Sequence, residues 1–193
     1  MTADLSEALL DLYVVSIEAH ARDGDLSEAI TLSLKDTESE NAVIVRASIM
    51  ALARLTNFWK NDVKLTGKIQ PLLKHMADHR DESIRRQALI ALGEAANFQP
   101  ELLSELVRRA EAKNNHAIKT LEHFVLRNIE ALKVRSDLAE ILAPLSYIES
   151  NETAELDYIL SDLVKDESCC NIVLEWFTQW AIHNCETLNS EDV

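Results

Sequence analysis

A chain of 193 residues with 47% hydrophobic side chains, three glycines, three prolines and a net charge of −14 has enough apolar mass for a sizeable core. It has too little turn chemistry for many strands, hairpins or a phosphate-binding glycine loop. The charge is uneven: residues 1–73, 74–135 and 136–193 carry −4, +2 and −12, with Lys165 the lone cation of the last segment; such a segment repels nucleic acid and anionic lipid and favours a basic protein partner.

The N-terminal stretch MTADLSEALLDLYVV opens acidic, without the basic start of a secretory signal. No apolar run approaches the roughly 20 residues that span a bilayer, so a soluble, cytoplasmic protein without membrane contact is the expectation. Leu5, Leu9, Leu12, Tyr13, Ser16 and Ile17 recur at three and four, predicting an amphipathic helix from Asp4 to Ala21 that ends at Asp23-Gly24-Asp25. A second helix is expected from Ser27, as N-cap, to Lys35, and a third from Asn41 to Trp59. The next, from Asp62 to Ala77, contains Pro71 and is expected to kink or restart there.

From Glu82 to Ala96 the sequence reads ESIRRQALIALGEAA, and here an internal echo emerges. Ile44, Arg46, Ala51, Leu52, Asn57 and Phe58 recur 40 residues later as Ile84, Arg86, Ala91, Leu92, Asn97 and Phe98. A helical period of about 40 residues marks a stacked α-solenoid, because a lone helical hairpin cannot bury its apolar stripe. Small residues at Ser48, Ala51, Ala88, Ala91 and Gly93 permit close helix approach.

The segment IQPLLKHMADHRDESIRRQALIALGEAAN resembles a HEAT repeat: an apolar first helix, an acidic turn, Ile84-Arg85, a small Ala88, then Ala91-Leu92-Gly93. The resemblance spans residues 66–98, and residues 26–58 with Val45 in the place of Arg85. It implies an all-α, right-handed α-α superhelix whose second helices line a concave side. Further helices are expected over Glu101 to Ala112, His116 to Lys133, Asp137 to Tyr147, Thr153 to Lys165 and Ser168 to Leu188. That makes nine to ten helices in four to five pairs, one domain over residues 1–188 and a short tail over 189–193.

Candidate chemistry is sparse. His75-Met76-Ala77-Asp78-His79 resembles the inverted zinc-protease motif with Asp in place of Glu, and histidines four apart share a helix face. The competing reading is a helix end and its turn, with Asp78 capping amides or pairing with Arg85 or Arg86. His183 and Cys185 with Cys169 and Cys170 are zinc-capable types at unsuitable spacing, and three cysteines do not make a disulfide framework. Reduced, mostly buried thiols are expected. No nucleophile elbow, dinucleotide fingerprint or di-iron signature is present, so no catalytic residue, metal or cofactor is assigned.

Binding residues are easier to nominate. Arg46, Arg54, Arg85, Arg86, Lys119, Arg127 and Lys133 fall on expected second helices. They can track an acidic ligand, as in the HEAT-like DNA glycosylases, or bridge to turn carboxylates and hold neighbouring pairs in register. Trp176, Phe177 and Trp180 form either an aromatic anchor for a partner or a seal on the last layer, with Glu167, Glu175 and Glu186 as an acidic rim. The reading that follows is a non-enzymatic protein-protein interaction module or adaptor. Its partner-binding residues are Arg54, Arg85, Lys119, Arg127, Trp176 and Trp180, and its partner is another protein, a basic one. A HEAT-like nucleic-acid repair enzyme is the alternative, disfavoured by net charge and few aromatics; a tetrapyrrole-holding chaperone or lyase subunit is a third.

Overall fold

A computed structural model describes residues 2–56, 63–97, 99–148 and 154–190, with side chains over 7–56, 67–97, 99–148 and 155–185. Its helices in chain order are α1 (Thr2–Arg22), α2 (Leu26–Asp36), α3 (Ala42–Leu55), α4 (Val63–Met76), α5 (Glu82–Ala96), α6 (Pro100–Glu111), α7 (Asn115–Leu132), α8 (Leu138–Leu142), α9 (Ala154–Leu163) and α10 (Cys170–Ser190). No strand occurs among the described residues. The expected stretch of α3 as far as Trp59, the repeated Asn57, Phe58 and Phe98, and the last residues of the expected tail lie outside the described residues; α10 itself extends to Ser190. Contacts divide the chain into two compact units, residues 1–105 and 106–193.

In the first unit α3 packs against α1 and α2 and also against α5, which in turn packs on α4. The helix starts explain the 40-residue register. Asn41 accepts the Val43 N–H at 3.0 Å, and Asp81, at the equivalent position, accepts the Ser83 and Ile84 N–H groups at 2.8 and 3.3 Å. Both caps fix where the apolar stripe begins, so Ala47, Ser48, Ala51, Leu52, Ala88, Ala91 and Leu92 are buried on both copies. The small residues nominated for close approach lie in that buried set.

Three expectations are corrected here. α2 is capped by Asp25 and not Ser27: the Asp25 carboxylate accepts the Glu28 N–H at 3.2 Å, and Gly24, at φ 110°, makes the tight turn that only glycine adopts readily. α4 runs through Pro71 as one helix, so the helix does not restart there. The face of α1 was read only in part: Ile17 of the stripe is buried and Tyr13 half-buried, but Leu9, Leu12 and Ser16 point outward with Val15, and Leu10 and Val14, outside the stripe, are buried instead.

The second unit pairs α7 with α9, and α10 packs on α8, α9 and a 3-10 segment, Ala143–Tyr147. The helix expected over Asp137 to Tyr147 is therefore two pieces. Pro144 has no N–H for the α-helical ladder, and the chain tightens to 3-10 geometry there. Asp137 stands at the N-cap of α8 without capping it, because its carboxylate is held bidentately by Arg135 at 2.7 and 2.6 Å.

Candidate protein-binding surface

α10 is an amphipathic helix with two unequal apolar faces. Inward, Val173 and Trp176 are buried, and Trp180 is half-buried with its indole N–H donating to the Ile148 carbonyl at 3.0 Å. Ile148 leaves the 3-10 segment with extended backbone, and the indole satisfies its carbonyl. One turn on, His183 packs at a tilt against Tyr147 with ring centroids 4.7 Å apart. These contacts lock the helix from behind.

Outward, Leu174 and Phe177 lie three apart on one face, and the half-buried Cys170 and Ala181 continue that line four residues to either side. Leu174 is 66% and Phe177 54% exposed, and Ile182 also faces solvent. The Phe177 ring leans on Trp180 at 5.6 Å, so the exposed ring is buttressed by an anchored one. Of the sequence nominations, Trp176 is the seal and Trp180 the bridge between core and surface, with the two indoles stacked 6.4 Å apart. Phe177 was named in the aromatic cluster but not among the partner-binding residues, and Leu174 was passed over; their spacing from Cys170 to Ala181 was the available signal. Glu167 and Glu175 are exposed in the same unit, while the Glu186 side chain lies outside the described residues.

The nominated cations are engaged with the protein itself. Arg54 faces Glu18 of α1 at 3.7 Å. Arg85 donates to the His79 and Arg80 carbonyls at 2.9 Å each, stapling the turn between α4 and α5 through backbone carbonyls, not the Asp78 carboxylate. Arg46 reaches Glu7 of α1 at 2.8 Å, a helix carboxylate and not a turn one; Arg86, its repeat mate, is exposed. Lys119 lies 3.5 Å from Glu122. Arg127 is exposed on α7 and has a partner within the protein. Lys133 bridges Glu130 at 2.7 Å and Asp162 of α9 at 2.8 Å, and Lys165 joins Asp162 at 3.0 Å. Those two hydrogen bonds raise the Lys133 ammonium well above its ordinary range, and the two lysines hold the Asp162 carboxyl down at about 2. Glu122 is the exception: burial pushes its carboxyl up, and one of its oxygens is buried without a partner.

Metal-capable residues fall differently from the sequence expectation. His79 Nδ1 accepts the Asp81 N–H at 3.0 Å, a turn contact. Cys169 is buried, Cys170 half-buried with its thiol toward the Val164 carbonyl, and Cys185 exposed, so burial holds fully for one thiol. Among the described residues, the group that gathers within 4.8 Å is His20, Asp25 and Glu28 at the turn between α1 and α2, all exposed. Among the described residues no helix is long and apolar enough to cross a membrane. Comparison with models of protein families, with curated proteins and with solved structures finds no match.

Proposed function

We propose that the chain is a non-enzymatic protein-protein interaction module, a HEAT-like right-handed stack whose acidic C-terminal unit takes a basic amphipathic helix along the outer seam of α10. The observation that carries this reading is the outward pair Leu174 and Phe177 on a helix fixed from behind by Trp176 and Trp180. An aromatic held rigid before binding loses little freedom on contact, the property of binding hot spots. The surrounding segment, residues 136–193, holds thirteen acidic residues and one basic one, which draws a cationic partner and speeds encounter.

Support for the stack comes from the 40-residue register of the two caps and from second helices packing in succession, α3 on α5 and α7 on α9. A concave groove lined by free cations has less support, since Arg54, Arg85, Lys119 and Lys133 each face a carboxylate or carbonyl. The same contacts count against a nucleic-acid repair role, which needs such charges turned to a phosphate backbone.

Calorimetric titration of the full chain with a lysine-rich peptide carrying leucines at alternating three- and four-residue spacing is expected to show saturable, salt-weakened binding. Phe177→Glu, at an exposed position, is expected to weaken it more than about tenfold. Equal binding by the variant, or by an acidic peptide of the same apolar pattern, would refute the proposal. Duplex DNA at about 50 mM salt is expected not to bind.

A further inference from the structure

The turn between α1 and α2 brings together three ligand groups of unlike chemistry. His20 stands in the last turn of α1, Asp25 caps α2, and Glu28 lies in the first turn of α2. One imidazole nitrogen and one oxygen from each carboxylate all lie within 4.8 Å of one another. Acidic groups often gather on surfaces; the nitrogen and its spacing set this group apart. His20 Nε2 lies 3.4 Å from Glu28 Oε2, beyond the roughly 2.7 to 3.2 Å of an N–H···O hydrogen bond. That separation matches instead the edge of a zinc tetrahedron, since bonds of about 2.0 to 2.1 Å at tetrahedral angles put neighbouring ligand atoms about 3.3 Å apart.

The backbone holds the three donors in place before any ion arrives. The Asp23 N–H closes α1 on the Ala19 carbonyl at 3.0 Å, Gly24 turns the chain, and the Tyr13 hydroxyl donates to the Asp36 carboxylate at 2.6 Å, tying the two helices together. Asp25 Oδ1 accepts the Glu28 N–H at 3.2 Å, which orients that carboxylate and leaves its second oxygen to give. Over residues 18–28 four carboxylates, Glu18, Asp23, Asp25 and Glu28, stand against one guanidinium, Arg22, which is drawn to Glu18 at 3.8 Å. The excess of negative charge attracts cations.

We infer that His20, Asp25 and Glu28 bind a divalent ion of the zinc type, which clamps the end of α1 to the start of α2. The donor set selects the ion. One imidazole with two carboxylates suits Zn²⁺, whereas Ca²⁺ and Mg²⁺ take shells of oxygen. Three protein ligands leave a fourth position to water, and all three side chains are exposed, so the ion exchanges with solvent and the clamp is loaded according to the zinc supplied. No residue of the α10 seam takes part.

Calorimetric titration of the full chain with ZnCl₂, after chelator treatment and with the thiols kept reduced, is expected to show saturable binding that Ca²⁺ and Mg²⁺ do not displace. His20→Ala and Glu28→Gln should each weaken it more than about tenfold. Asp25→Asn is the sharpest arm, because asparagine caps a helix as well as aspartate does: the metal-free chain should melt as before while zinc affinity falls. Zinc should raise the melting temperature of the parent chain and not that of His20→Ala. His79→Ala and Cys185→Ser should leave the titration unchanged. Absence of saturable binding up to about 1 mM zinc would overturn the inference. So would binding that survives His20→Ala and Asp25→Asn, binding lost with Cys185→Ser, or displacement by an equal concentration of Ca²⁺, which would mark an acidic surface only. The Asp25 and Glu28 arms decide the matter even where His20→Ala fails to fold.

Discussion

α3 and α5 in the first unit, and α7 and α9 in the second, are each a pair of helices packed on one another, yet the second pair adds charged contacts to its apolar packing. α3 and α5 are lined with small and aliphatic residues that are fully buried, among them Ala51, Leu52, Ala88, Ala91 and Leu92. α7 and α9 also bury aliphatic side chains, among them Leu121, Val125, Leu156, Ile159 and Leu163, but they carry polar ties in addition: the Lys133–Asp162 ion pair at 2.8 Å, a His123–Glu155 contact at 3.1 Å and the buried Glu122 of α7. Apolar contact is indifferent to salt and acid, whereas ion pairs respond to both. The first pair should therefore behave as fixed structure and the second as a joint whose strength depends on solution conditions.

The largest break in that contrast is expected from Leu92→Ala. Deleting a fully buried leucine from α5 should cost about 2 to 5 kcal/mol, seen as early hydrogen exchange through α3 and α5, with little dependence on pH between 4 and 8. Asn41→Ala removes the cap of α3 and should cost about 1 kcal/mol, again independent of pH because the amide does not titrate.

In the second unit, Glu122→Gln should raise stability at neutral pH by about 1 kcal/mol, since burial already disfavours the charged form. The sign follows from the raised carboxyl. The native unit holds the Glu122 proton to higher pH than the unfolded chain, whose carboxyl has its ordinary value of 4.5. The penalty is therefore absent at low pH and grows as pH rises past that value, so the gain from Gln should vanish near pH 4.

Asp162 has the opposite sign. Its carboxyl is held at about 2 against an ordinary 3.8, so its contribution is present above pH 4 and is lost as pH falls toward 2. Segment-resolved hydrogen exchange should show α9 loosening over that window, and Lys133→Met should remove most of the dependence. The smallest expected effect is that of salt: 1 M NaCl should loosen α7 and α9 slightly and leave α3 and α5 unchanged.

Helix placement was largely legible because caps and periodicity are local signals; most ends fall within about three residues of the sequence expectation. The face of α1 was not. Apolar residues lie on both of its sides, and a period of 3.6 residues cannot set Leu9 and Leu12 of the expected stripe, which face outward, apart from Leu10 and Val14, which join Ile17 inside, without knowing what α3 presents to it. The nominated cations failed for a related reason: Arg46 finds Glu7 across 39 positions and Lys133 finds Asp162 across 29, separations over which one sequence carries no pairing signal. Trp176 and Trp180 drew attention by size, while Phe177, the ring that faces outward between them, has the less conspicuous side chain. Asp25 was overlooked as a cap because Ser27 offered the same chemistry two residues later.

The anchoring of Trp180 has one practical outcome. Its indole is fixed to Ile148 on one side and overlain by the outward Phe177 on the other, at the boundary between dry interior and solvent. Any molecule that settles on Phe177 will strip water from that indole and blue-shift its emission. The protein thus carries a native optical reporter of occupancy, readable without a label.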